Sequence, residues 1–300
     1  MSRLAALACL LAATTVWGAT FPVVKTALAD TGPLTFAALR FSLAGAVLLV
    51  HLLRRRVDLP RTAWPYWCGV SLLAGYVLQT WGLVTTTPAR SAFITAFSAV
   101  LVPLLEPVVG LRRLSPRVVV GALVALTGLG ALLRPGAQAV VVGDVLTAGC
   151  AVAFAGHTML VQRAVREHSA RLVNGVQILV VAMLAAPLAG VESWRFVPSL
   201  RLGGALVVTA LLATVAAFWA FTAAQRSLSA GETAVVLAWE PVAAALASLL
   251  LGEDTVTVSL LCGGGLVVAG MVLATGAPAS RPTRPRHRCP GRRNPTRSAS

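Results

Sequence analysis

The sequence predicts an all-α integral membrane protein whose ten transmembrane helices form two inverted repeats of five. Three observations carry that expectation. Of 300 residues, 57% are apolar and 12% are charged, with a mean hydropathy of +0.81. A soluble domain covers itself with polar side chains and does not need so much apolar sequence. Ten apolar runs can be marked, roughly 4–24, 33–53, 63–84, 91–110, 117–133, 143–162, 172–190, 203–224, 233–251 and 257–274. Each is about long enough to cross ~30 Å of hydrocarbon at ~1.5 Å per residue. The third observation is a self-similarity between the first five runs and the last five.

The first run follows Arg3 and has no clean small-residue cleavage site, so it reads as a span rather than a removed leader. Basic residues between the runs then set the orientation. With the N-terminus inside, nineteen of the 25 basic residues fall on the inner side and five on the outer side, and Arg40 alone lies well within a run. Twelve against five remain when the seven tail arginines, Arg281 to Arg297, are set aside. Both termini are therefore expected in the cytoplasm, with the chain in the cytoplasmic membrane. The net charge of +15 is gathered into loops and tail, which argues for topology and against a nucleic-acid face. Residues 276–300 are rich in Pro, Arg and Ser and read as a disordered cytoplasmic tail held against anionic lipid.

The repeat uses two offsets. At 137, Trp17 falls on Phe154, Lys25 on Gln162 and Arg40 on Gln177; at 142, Ser91 falls on Thr233, Gly110 on Gly252, Gly121 on Gly263 and Gly128 on Gly270. The change of offset places a small insertion in the third or eighth run. The expected units are 1–134 and 143–275, each with five spans. An odd number forces the second copy to enter the membrane from the opposite side. This is the plan of many secondary carriers, whose site lies near the midplane between the halves.

Candidate residues follow from polar groups inside apolar runs, which are expensive there and mark function by default. Glu240 stands in the ninth run just before Pro241, which lacks a backbone donor. It reads either as a proton-exchanging carboxyl or as a hydrogen-bonded packing group. Arg40 cannot shed its charge, so it needs an anionic substrate group, Glu240, or carbonyl oxygens. His157 is a candidate proton relay or a packing hydrogen-bonder. Gln79, Gln177, Trp17 and Trp239 are candidates for a polar, aromatic-walled cavity, whereas Trp81 and Trp219 also suit interfacial anchoring. Pro103, Pro107 and Pro241 are candidate helix breaks. The seven-residue spacing of Gly121/Gly128 and of Gly263/Gly270 reads as a stripe for close helix packing. Cys9, Cys68, Cys150, Cys262 and Cys289 form no metal-ligand spacing, and no P-loop or zinc-protease motif occurs. No cofactor, metal or catalytic activity is expected.

Trp17-Gly-Ala-Thr-Phe-Pro-Val-Val-Lys25, followed by Pro33 and Arg40, resembles the opening of the EamA family in the drug/metabolite transporter superfamily. Ser91-Ala-Phe-Ile-Thr95 and the Pro103 region resemble the fourth helix of that family's first repeat. Gly143-Asp144 resembles the start of its second repeat, and Glu240-Pro241, Gly252-Glu253 and the glycines at 263 to 270 resemble its ending. The resemblance implies ten helices in two EamA-like repeats that move small metabolites across the cytoplasmic membrane, commonly outward, without fixing one substrate. One departure is Gly110-Leu111-Arg112-Arg113, which lacks the acid found at Gly252-Glu253. Glu106-Pro107 imitates Glu240-Pro241, but the 142 offset sets Ser98 opposite Glu240, so the two acids are not symmetry mates. The expected function is secondary transport of metabolites, amino acids or drug-like compounds by alternating access, with Glu240 coupling export to protons. An uncoupled facilitator or exchanger, and a non-transporting receptor or assembly protein, are the alternatives. The expected partners are a small-molecule substrate and the lipid bilayer, with a homodimer left open.

Overall fold

Capping chemistry sets many of the helix starts. Ser2, Ser169, Ser199, Ser229 and Thr257 each accept a hydrogen bond from the amide three residues on, and Pro33 and Pro116 occupy first turns, where no amide donor is needed. The computed structural model describes residues 1–82, 85–86, 88–134, 139–192, 195–250 and 256–276. Gly252-Glu253, Cys289, the tail beyond 276 and the Lys25 side chain lie outside the described residues.

In chain order the helices are α1 (Arg3–Ala19), α2 (Phe21–Ala27), α3 (Pro33–Arg54), α4 (Trp64–Gly82), α5 (Pro88–Thr95), α6 (Ser98–Leu105) and α7 (Pro116–Leu133). They continue as α8 (Val142–Glu167), α9 (Ala170–Ala189), α10 (Leu200–Val208), α11 (Ala217–Ala224), α12 (Ala230–Leu237), α13 (Glu240–Leu250) and α14 (Val258–Thr275). A π-helical stretch, Thr209–Ala216, joins α10 to α11. The only β pairing among the described residues is one bridge, Thr31 to Phe196. Seven helical rods are long and apolar enough to cross a membrane: α3, α7, α8, α9, α10–α11, α12–α13 and α14. α1 and the segment Arg90–Leu105 are shorter apolar helices, and α4 is richer in aromatic and polar residues. Large apolar side chains such as Leu43, Val50, Leu212, Met183 and Val272 face outward, as a lipid-facing surface requires.

The backbone repeats with the sequence. α9 begins 137 residues after α3, and α12 and α14 lie 142 residues after α5 and α7 at both ends. α7 and α14 pack face to face, Gly121 on Gly270 and Gly128 on Gly263. One number rises as the other falls, so these corresponding helices run antiparallel. A Cβ on Gly128 would lie 2.6 Å from the Gly263 carbonyl oxygen, which shows how close the backbones come.

Two rods are broken, at Ala96–Phe97 between α5 and α6 and at Ala238–Trp239 between α12 and α13. These positions are also 142 apart. Pro241 is the second residue of α13, and it cannot donate to the Leu237 carbonyl at the end of α12. The other two prolines do not break a rod. α6 continues through Pro103, and Pro107 lies beyond the helix C-cap at Glu106. The first break has no proline of its own; amides there turn to i−3 acceptors, Phe97 to Ile94 and Val100 to Phe97.

Candidate functional site

Side chains from both halves of the chain meet at the π-helical stretch. Widening of the backbone turn lets the Ala217 amide donate to the Leu212 and Thr214 carbonyls and leaves the Ala213 carbonyl for side chains. Trp17 Nε1 on α1 donates to that oxygen at 2.7 Å, and Arg40 Nη2 on α3 donates to it at 3.3 Å. Arg40 Nε also donates to Thr214 Oγ1 at 2.7 Å, and Thr214 donates onward to the Thr209 carbonyl, five residues back. Arg40 is thus buried with neutral oxygen partners and makes no direct ion pair among the described residues.

Glu240 opens α13 at the break and is half-buried. Gly18 on α1 packs against its backbone; a Cβ there would fall 2.8 Å from Ala243 Cβ. The charge of Arg40 reaches the Glu240 carboxylate, and both act on the Tyr76 hydroxyl of α4. No hydrogen bond to the Glu240 carboxylate occurs among the described residues. Tyr76 lies edge-on between Phe41 and Phe154, with ring centroids 5.2 and 5.8 Å away.

A second polar cluster sits beside this one, nearer the helix ends that carry Glu167 and Ala170. His157 on α8 shares a 2.9 Å hydrogen bond with Gln177 Oε1 on α9. Gln177 Nε2 donates to Asn174 Oδ1 and to Thr222 Oγ1, each at 3.3 Å, and Asn174 donates to the Val215 carbonyl. All four residues are buried. The His157 ring stacks on Phe221 at 5.6 Å, and Phe221 and Phe218 also hold Trp17. The two clusters therefore share one aromatic wall.

Trp17, Arg40, Glu240, His157 and Gln177 are brought together; Gln79 and Trp239 are not in these networks. Gln79 reaches Thr95 at 3.5 Å, and Trp239 Nε1 donates to Thr15 at 3.0 Å on an exposed flank. Trp81 and Trp219 are each 43% exposed on the outer surface. Ala213, Thr214, Tyr76 and Thr222 did not stand out in the sequence. Asn174 was legible one helical turn from Gln177, and the change of offset pointed to the third or eighth run, where the π-helical stretch lies. Glu106 is buried against Gly231 at the start of α12, far from Glu240 along its rod.

The site can hold a carboxyl near a fixed cation, walled by aromatic rings and backed by an imidazole–amide chain. No group of three or more potential metal ligands occurs among the described residues. A small cavity beside the site, lined by Phe41, Tyr76, Leu73 and Ala185, offers about 10 Å³, room for about one water.

Comparison with known proteins places these features in a group. Residues 4–134 and 141–276 each match the profile of the EamA-like transporter family. The chain is 28% identical over 264 residues to an uncharacterized transporter of Archaeoglobus fulgidus, covering 87% of this chain and 82% of that one. It is 26% identical over 275 residues to the uncharacterized transporter YwfM of Bacillus subtilis, covering 89% and 92% of the two chains. A solved crystal structure superposes with a TM-score of 0.80 at 24% identity, covering 91% of this chain and 97% of the other, which speaks to the fold.

Proposed function

Since the chain belongs to the EamA-like transporter family, we propose that it is a ten-helix secondary transporter that exports small metabolites, amino acids or amphipathic drug-like compounds. It works in the cytoplasmic membrane with both termini inside. Its inverted units span 1–134 and 143–275, with a basic tail after them. The antiparallel packing of α7 on α14 supports the inversion, and α1, α4 and α5–α6 complete the ten spans. Transport proceeds by alternating access around the midplane, where Trp17, Arg40 and Glu240 meet.

The observation that carries the reading is Glu240 at a helix break, packed by its backbone on Gly18 of the other half and within reach of the charge of Arg40. A carboxyl without a hydrogen-bond partner in hydrocarbon is costly unless protonated or neutralised. Glu240 takes a proton from outside and releases it inside, then presents a carboxylate to outgoing substrate until the next proton binds from outside. Trp17 and Arg40 keep the π-helical wall in place. The first test compares extracellular metabolites from cells expressing wild type, Glu240→Gln or an empty vector. A compound enriched by wild type alone names the substrate class. In everted vesicles, a pH gradient should then drive its accumulation by wild type, while Glu240→Gln retains exchange but loses gradient-driven accumulation. Transport by wild type that ignores the gradient would leave an uncoupled facilitator, and equal gradient-driven accumulation by both proteins would place the coupling proton elsewhere than on Glu240. Matching profiles from all three strains, with protein in the membrane, would favour a receptor or assembly role.

A further inference from the structure

We propose that two ion pairs of opposite polarity, Arg3–Glu232 and Arg90–Asp144, are the alternating gates at the two ends of the transport path. At the end holding the N-terminus, Arg3 of α1 donates to Glu232 of α12 at 2.5 Å and to the Thr275 carbonyl, at the end of α14, at 2.7 Å. At the opposite end, Arg90 of α5 pairs with Asp144 of α8 at 2.5 Å, and Thr86 Oγ1 donates to the same carboxylate at 2.5 Å. Both carboxylates are nearly buried, and both also receive an amide at the start of their own helix, Glu232 from Ser229 and Asp144 from Val141.

The two pairs correspond through the repeat. The 142 offset that superposes α5 on α12 sets Arg90 opposite Glu232, so one position carries opposite charges in the two units. Their partners lie on α1 and α8, the first helix of each unit. Each pair therefore joins a first-half arginine to a second-half acid, and antiparallel packing puts the pairs at opposite ends. Each also holds the first half of a broken rod, α5 before Ala96–Phe97 and α12 before Ala238–Trp239. Those breaks let a half-helix swing when its ion pair opens. α1 and α8 carry Trp17 and His157, so movement at either end reaches the central site. Both pairs are made in this conformation, in keeping with a path shut at both ends.

The inference rests on the alternating-access reading, but its test reads conformation and needs no substrate. Ser91 and Thr233 occupy matching positions beside the two pairs and are buried. In a background with the five native cysteines replaced by alanine, Ser91→Cys or Thr233→Cys is labelled by a hydrophilic maleimide in nanodiscs. Glu232→Gln, which keeps a capping acceptor, should speed labelling at Thr233→Cys by about fivefold, the factor for an ion pair worth about 1 kcal/mol, and slow it at Ser91→Cys. Asp144→Asn should do the reverse. Arg3→Gln and Arg90→Gln, which leave the helix caps untouched, should reproduce the effects of their partners. Unchanged labelling beside each altered pair, or effects confined to the acid variants, would overturn the gate assignment. Faster labelling at one end without protection of the other would retain the pairs as latches and reject alternating access.

Discussion

Ala213 has no functional group in its side chain, yet its carbonyl fixes both Trp17 and Arg40, the most expensive side chain in the bundle. Thr214 supplies the third contact, so Thr214→Val leaves Arg40 Nε without its acceptor. In a membrane bundle such a hydrogen bond is worth about 1 kcal/mol, and the variant should unfold a few degrees lower in detergent, read by thermal denaturation. Arg40 was legible as a buried cation needing partners, but not which partners, because a carbonyl freed by a widened turn has no side-chain signature. Asp30 makes a separate claim outside the spans. Arg201, through its hydrogen bond, and then Ser199 hold the Asp30 carboxyl below its ordinary value of 3.8. A carboxyl lowered by folding stabilises the fold above its unfolded value, and that contribution disappears as pH falls through the folded one. Wild type should therefore lose thermal stability below about pH 4 more steeply than Asp30→Asn, in melts run from pH 3 to pH 6.

At the level of elements, the sequence carried more of the outcome. The α7–α14 contact follows from glycines spaced seven apart, since only a missing Cβ lets two backbones meet so closely. Gly128→Ala would set a methyl 2.6 Å from the Gly263 oxygen, whereas a methyl at Gly265 meets nothing within 4 Å. The first change should reduce the monodisperse fraction in size-exclusion chromatography, and Gly265→Ala should leave it unchanged. The shift from 137 to 142 also acquires a physical place. α4 has 19 residues, while the corresponding rod from Leu200 to Ala224 has 25, and its π-helical turns take up part of the excess. The break at Ala96–Phe97 has no proline of its own to mark it in the sequence. Projecting the Ala238–Trp239 break back through the 142 offset would have located it.

For the molecule as a whole, composition and the repeat were sufficient to indicate a helical membrane protein with two related units. They could not indicate which residues meet across those units, because such contacts depend on three-dimensional register between helices far apart in the chain. The polarity of the two end pairs has a consequence for assembly. Two copies of the first unit, placed in the same mutual arrangement, would set Arg90 against a first helix that carries Arg3 and no acid; two copies of the second would set Glu232 against a first helix that carries Asp144 near its start. Only the mixed pairing neutralises both. If the chain is severed between residues 134 and 139 and the fragments are co-expressed, they should purify as a one-to-one complex, with neither fragment recovered as a stable pair with itself. The duplicated halves have thus become complementary parts, and neither can stand in for the other.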